Sequence, residues 1–333
     1  MGNSSEGILT DREIVQYIID KGLLFQEDGV GELIDRVGPT CLDMEFSNHI
    51  GRVDINKGKA ETLPLDVIKR PFPAGFNVID DGRSSFAGKP NTAVEVRGEG
   101  GAEVNREYEG RLYAVVNPLT FNIRVREGTS IPHLRFMIGY PEECRLRPED
   151  VVNYGEDGNY IGREPVIKDG KLVMGLRLRA DNRFGQDIAL GLRSIDTDER
   201  VDYSRVNPIW NFWTAVDPCD RSVAEDGYLY LFRTSDAFFV GGYKEPFVAE
   251  MLSVNSEGLQ VNGAKFIEKD SGMAQQVVEL YPKKRSWELM DRGDICELIF
   301  YRLVNEPLRT YRNRDGSNLW TLQGKLFGLT HQL

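Results

Sequence analysis

Two short stretches hold the residues whose types could do chemistry. The first is Gly82–Asn91, "GRSSFAGKPN". Arg83 can donate two parallel charge-assisted hydrogen bonds, Ser84 and Ser85 add hydroxyls, Lys89 adds a cation, and glycine lets the backbone approach a ligand. These groups suit a phosphate, and the same composition also suits a plain surface turn. The second is "QQVVELYP", in which Glu279 interrupts an apolar run. On a solvent face such a glutamate is only solubilising. In a buried place desolvation raises its pKa and makes it a general base.

Other chemistries have no residues to run on. The histidines are His49, His133 and His331, and none sits in an HxE or HExxH pattern. There is no PCxxC, Walker loop or GxSxG, so the signatures of zinc deaminases, zincins and serine hydrolases are missing. Cys41, Cys144, Cys219 and Cys296 lie far apart and form no CxxC pair. They read as reduced thiols, and the spacing predicts neither zinc nor any other protein-held metal.

Bulk composition narrows the partners. The chain has 333 residues, 41% hydrophobic and 28% charged, with a net charge of −11. That is a globular composition with room for two domains. The acidic balance argues against nucleic acid and anionic membranes, because phosphate backbones are held by an excess of Lys and Arg. A small anionic ligand needs only a local basic pocket. No run is long and apolar enough for a membrane span, and "MGNSSEG" lacks the charged and apolar regions of a signal peptide. The expected location is the cytoplasm.

The elements that must position these residues are mostly strands. "ILTDREIVQYIIDKGLL" predicts one N-terminal helix, with Thr10 and Glu13 at capping-box spacing, an apolar face of Ile14, Tyr17 and Ile18, and Gly22 at the C-cap. "TFNIRVREG" alternates, with Phe121, Ile123 and Val125 on one face and Asn122, Arg124 and Arg126 on the other. "KLVMGLRLR" and "QDIALGLRS" follow the same rule less strictly. Gly and Pro recur about every ten residues, the punctuation of a β-sandwich or barrel. The polar, Gly-rich segment 153–170 predicts a domain boundary. On either side of it, "LYAVVNPLTFNIRVREGTSIPHLRF" and "QVVELYPKKRSWELMDRGDICELIFY" share an outline, with Val115 three residues before Pro118 and Glu279 three before Pro282. That predicts a tandem duplication.

The motifs "GILTDREIVQYIIDKGLL", "GPTCLDMEF", "DGRSS", "VVELYP" and "YRNRDGSNLWTLQGK", in this order over nearly the whole chain, resemble the tandem-domain 2′-deoxycytidine 5′-triphosphate (dCTP) deaminases. The resemblance implies a mainly β protein built of tandem dUTPase-like β-clip domains with a short N-terminal helix. It places the first domain at 1–155, the second at 170–310 and a nucleotide-closing tail at 311–333. It also implies a homotrimer, hydrolysis of dCTP to dUTP and ammonia in pyrimidine deoxynucleotide metabolism, Mg²⁺ accompanying the triphosphate, and no zinc.

Carried over by motif, Glu279 is the base that activates water, and Ser84 helps orient the water and the base. Arg83 and Ser85 help bind the ligand. The family tail pattern Lys-Tyr-x-x-Gln has Trp320 at its aromatic position and Gln323 at its Gln, with Leu319 in place of Lys. Arg312, Arg314 and Lys325 are the cations that could replace the lost charge. The Arg expected three residues after Ser85 is Gly88, with Lys89 beside it. "VNREYEG" resembles the dUTPase motif that carries a catalytic Asp and a stacking Tyr, with Asn105 at the Asp and Tyr108 retained. Val115 stands at the base position of the first half. Each half therefore keeps what the other lacks, and a composite site is expected, in which the loop of one domain faces Glu279 of another. Two other readings are a dUTPase-type hydrolase, against which Asn105 argues, and a non-catalytic nucleotide-binding homologue, which Gly88 and Leu319 would fit.

Overall fold

A computed structural model describes residues 6–21, 24–25, 36–47, 49–68, 76–82, 92–105, 107–155, 157–178, 191–204, 207–216, 221–252, 254–256, 258–263, 266–268 and 274–308. A short strand, Gly7–Ile8, precedes the helix α1 (Asp11–Lys21), and two single-turn helices follow later, Pro141–Cys144 and Pro148–Val151. Glu13 reaches back to the helix start as expected: its Oε2 accepts the Thr10 N–H at 2.9 Å and the Thr10 hydroxyl at 2.6 Å. Ile14 is buried and Tyr17 packs against the same core. Gly22 lies outside the described residues.

Strands make up the rest of the framework. In the first half they are β1 (Leu42–Glu45), β2 (Arg52–Ile55), β3 (Glu61–Ile68), β4 (Phe76–Gly82), β5 (Thr92–Arg97), β6 (Gly110–Pro118), β7 (Asn122–Arg126) and β8 (Ser130–Ile138). In the second half they are β9 (Lys171–Arg177), β10 (Arg221–Ala224), β11 (Tyr230–Phe238), β12 (Phe247–Leu252), β13 (Leu259–Gly263), β14 (Ala274–Pro282), β15 (Trp287–Met290) and β16 (Asp294–Arg302). The chain is mainly β, as the sequence predicts.

The two sets pair alike. β6 lies between β3 and β5, and β14 lies between β11 and β13. β8 pairs with β4 and β1, and β16 pairs with β12 and β9. β2 pairs with β7, and β10 with β15. All these pairings are antiparallel.

Alternation explains which faces are buried. In β7, Ile123 and Val125 point into the core beside Phe121, while Asn122, Arg124 and Arg126 keep solvent contact. β9 departs from that rule, because Leu172 through Leu176 are all buried. It has β16 on one edge and Val166–Lys168 and β11 along the other, and both of its faces are covered. Of "QDIALGLRS", the described part is the strand Gly191–Ser194. The segment 153–170 carries the short strands Tyr160–Ile161 and Val166–Lys168, which pair with β11 and β9.

The cores cross the midpoint of the chain. One apolar cluster combines Leu42, Phe121, Ile123 and Leu134 with Leu192, Val201, Phe212 and Trp213. Phe121 meets Phe212 and Trp213 edge-on, with centroids 5.2 and 5.5 Å apart. The strand Arg200–Asp202 runs parallel to β7, with Val201 opposite Ile123. A second cluster is built mostly from residues of the second half, joined by Leu146, Val151 and Tyr160, and a third joins Ile8 and Met137 to Val248, Phe266 and Ile299. A buried ion pair crosses between the halves as well: Arg135 Nη1 to Glu268 Oε1, 2.9 Å, with Thr40 bonded to both.

Candidate active site

Glu279 stands in the middle of β14, opposite Leu231 on β11 and Asn262 on β13. Its neighbours Val278 and Leu280 belong to the second-half core, whereas Val277 and Tyr281 pack against the cluster centred on the first half. The period of two puts Glu279 on the same side as Val277 and Tyr281. The carboxylate therefore faces the junction of the two halves. It keeps a little solvent contact, yet protein atoms surround it, and desolvation by burial raises its pKa to about 7. Removing a carboxylate from water disfavours its charged form.

Tyr203 lies near enough to feel its charge. Its backbone N–H donates to Arg124 O at 3.0 Å, which fixes it just beyond the strand Arg200–Asp202. Its ring is buried in the first-half cluster. Burial raises the phenol pKa, and the charge of Glu279 raises it further. The Tyr203 hydroxyl lies 3.1 Å from the hydroxyl of Thr92. Thr92 opens β5 and is the first described residue after 83–91. Thr92 and Tyr203 thus meet within one chain, although 111 residues separate them, and the charge of Glu279 is felt at the Tyr203 phenol. Neither Thr92 nor Tyr203 stands out in the sequence. Thr92 could have been suspected from its place after "GKPN", but Tyr203 belongs to no motif.

The other expected site residues fall into two groups. Arg83, Ser84, Ser85 and Lys89, and the tail residues Arg312, Arg314, Trp320, Gln323 and Lys325, lie outside the described residues, as do Gly88 and Leu319. Tyr108 and Asn105 are placed in the turn between β5 and β6. The Tyr108 hydroxyl accepts the Glu99 N–H at 2.8 Å and donates to Arg111 O at 2.5 Å. Gly98 leaves the room its ring occupies, since a Cβ there would run into it. Asn105 is exposed and caps the turn, its Oδ1 accepting the Glu107 N–H at 2.9 Å. Val115 sits on β6 opposite Thr62 and Glu95, the register place that Glu279 holds on β14.

Comparison with known proteins shows what this fold is similar to. Residues 93–140 match the family model described as the 2′-deoxycytidine 5′-triphosphate deaminase (DCD) N-terminal domain. That stretch carries Asn105, Tyr108 and Val115, and it ends well before Glu279. No curated protein sequence matches the chain. Among solved structures, the crystal structure of 2′-deoxycytidine 5′-triphosphate deaminase from Agrobacterium tumefaciens superposes with a TM-score of 0.74 at 19% identity, covering 90% of this chain and 99% of that one. In its fold, and over residues 93–140 in its family match, the chain is similar to dCTP deaminases.

Proposed function

We propose that this protein hydrolytically deaminates dCTP to dUTP and ammonia, with Glu279 as the proton-transferring group. The observation that carries the reading is the Glu279 carboxyl, lifted to about 7 and facing a junction next to Tyr203 and Thr92. A group that titrates near the working pH can both accept and return a proton.

Water is a poor nucleophile at neutral pH. As its oxygen adds to C4 of the cytosine ring, the C4–N3 π electrons move onto N3; Glu279 takes one proton from the water and passes it to N3, giving a tetrahedral C4 bearing a hydroxyl and the amino group. The carboxylate then takes the hydroxyl proton as C4=O forms and gives it to the amino nitrogen. The C–N bond breaks and ammonia leaves, with N3–H kept in the uracil ring. Over the cycle one water is consumed and Glu279 is restored. Nothing in this sequence asks for zinc. Mg²⁺ enters with the triphosphate as part of the substrate, the usual pairing of a hard cation with phosphate oxygens.

Within this reading, Ser84 orients the water and base, Arg83, Ser85 and Lys89 hold the phosphates, Tyr108 lines the nucleotide, and the tail 311–333 closes over it through Trp320, Gln323 and the cations Arg312, Arg314 and Lys325. The place of Thr92 beside Tyr203 supports it, because the segment 83–91 must end there. The matched pairing of β3–β5–β6 and β11–β13–β14 supports a tandem duplication in which the second copy kept the base. The matching assembly is a cytoplasmic homotrimer, for which light scattering should return three chains.

Incubation with dCTP and Mg²⁺ followed by product analysis tests the reading. Ammonia and dUTP in equal amounts are expected. Pyrophosphate release without ammonia would indicate a dUTPase-type hydrolase, and binding without turnover a non-catalytic homologue.

A further inference from the structure

The fold assembles a second chemical cluster that linear spacing hides. Asp43 on β1 and His133 on β8 are directly opposed partners of an antiparallel pair. Side chains of opposed residues lie on the same face, and so does Cys41, two residues before Asp43. Leu42, Met44, Leu134 and Phe136 point the other way, into the first-half core. Cys41, Asp43 and His133 are therefore gathered on the reverse face, where they are 1%, 6% and 8% exposed. His133 Nδ1 lies 3.3 Å from Cys41 Sγ, His133 Nε2 lies 3.4 Å from Asp43 Oδ1, and one ligand atom from each residue falls within 4.8 Å of the others.

We infer that Cys41, Asp43 and His133 bind a thiophilic divalent cation of the zinc type. A thiolate sulfur, an imidazole nitrogen and a carboxylate oxygen form a donor set suited to such an ion; one imidazole nitrogen would ligate, and side-chain rotation would bring the three donors, now within 4.8 Å of one another, onto a common ion. The two negative charges of thiolate and carboxylate balance the cation, which makes its burial tolerable. The neighbouring Arg135 guanidinium is already matched by Glu268 at 2.9 Å. Three protein donors leave one tetrahedral position for water. The ion would pin β1 to β8 at the level where β4 ends, since Asp81 and Gly82 pair with His133 and Pro132. It would thus brace the strand that leads into Arg83. The site is separate from Glu279 and takes no part in proton transfer there.

The test is cobalt titration of the full-length protein after chelation, read by absorption spectroscopy, with metal analysis of the untreated protein. The expected result is one cobalt per chain, a thiolate-to-cobalt charge-transfer band and tetrahedral d–d bands. C41S should abolish the charge-transfer band, and H133Q and D43N should each weaken binding by about tenfold or more. C144S, C296S and E279Q should keep both band and stoichiometry. If C41S does not fold, the wild-type titration with H133Q still decides. A wild type without the charge-transfer band, or a band that survives C41S or H133Q, would overturn the site and leave a Cys–His–Asp hydrogen-bond chain in its place. Because E279Q is expected to keep the metal, failure of the deaminase reading and failure of this one are distinguishable.

Discussion

The Tyr203 hydroxyl lies 3.1 Å from the Thr92 hydroxyl, which ties the residue following 83–91 to a ring whose pKa is raised in part by Glu279. The candidate base and the exit of the candidate anion loop therefore belong to one junction, formed where the second half lays 200–203 along β7.

Glu279→Gln keeps the shape and hydrogen-bonding capacity of the side chain and removes its basicity. Turnover of dCTP should fall by about 10²–10⁴-fold, the usual contribution of general acid–base catalysis. Equilibrium binding of dCTP, measured by calorimetry, should stay within a few-fold. Near-normal turnover in this variant would remove Glu279 from the mechanism.

The raised pKa of Glu279 sets two opposite pH trends. Catalysis needs the carboxylate, so kcat/KM should rise with pH through about 7 and then level off. Stability runs the other way. The folded carboxyl holds its proton up to about 7 while the unfolded one loses it near the ordinary value of 4.5, so the folded state binds more protons between these values and loses stability as pH rises. Glu279→Gln should therefore match the wild type in thermal denaturation near pH 4. Well above pH 7 it should be more stable, by about 3 kcal/mol for a shift of this size.

Tyr203→Phe removes one hydroxyl from the junction. The loss of a neutral hydrogen bond should cost about 0.5–1.5 kcal/mol of stability. If Tyr203 positions the site, kcat/KM should drop by more than that stability change explains, and the apparent pKa of the rising limb should move. A lower melting temperature with an unchanged pH profile would assign Tyr203 to packing alone.

Glu268→Gln takes the counter-charge from a buried Arg135, which also stacks on Phe266 at 4.0 Å. Breaking a buried pair by removing one partner typically costs about 3–5 kcal/mol. Chemical denaturation should show a loss of this order, because the pair crosses between the two halves.

Val115→Glu should not create a second active centre. Val115 lies opposite Glu95, so the new carboxylate would meet a like charge across the strands and weaken the pair. In a Glu279→Gln background, added Val115→Glu should restore no ammonia release.

The sequence by itself determined the strand-rich class, the capped first helix and the two faces of β7, because those follow from local rules: period two, period 3.6 and a glutamate three residues after a threonine. It also singled out Glu279, since a carboxylate in an apolar run must be either wet or chemically unusual. It could not decide between those two. That depended on which side of β14 faces the first-half cluster, a matter of long-range packing. The same limit hid Tyr203, whose meaning comes from pairing 200–202 with β7, and it hid the Cys41–Asp43–His133 cluster. Spacing along the chain argued against a metal there, but antiparallel register places residue 133 across from residue 43. Only tertiary structure makes such neighbours, because contact between distant residues is fixed by strand pairing and core packing, which no local pattern encodes.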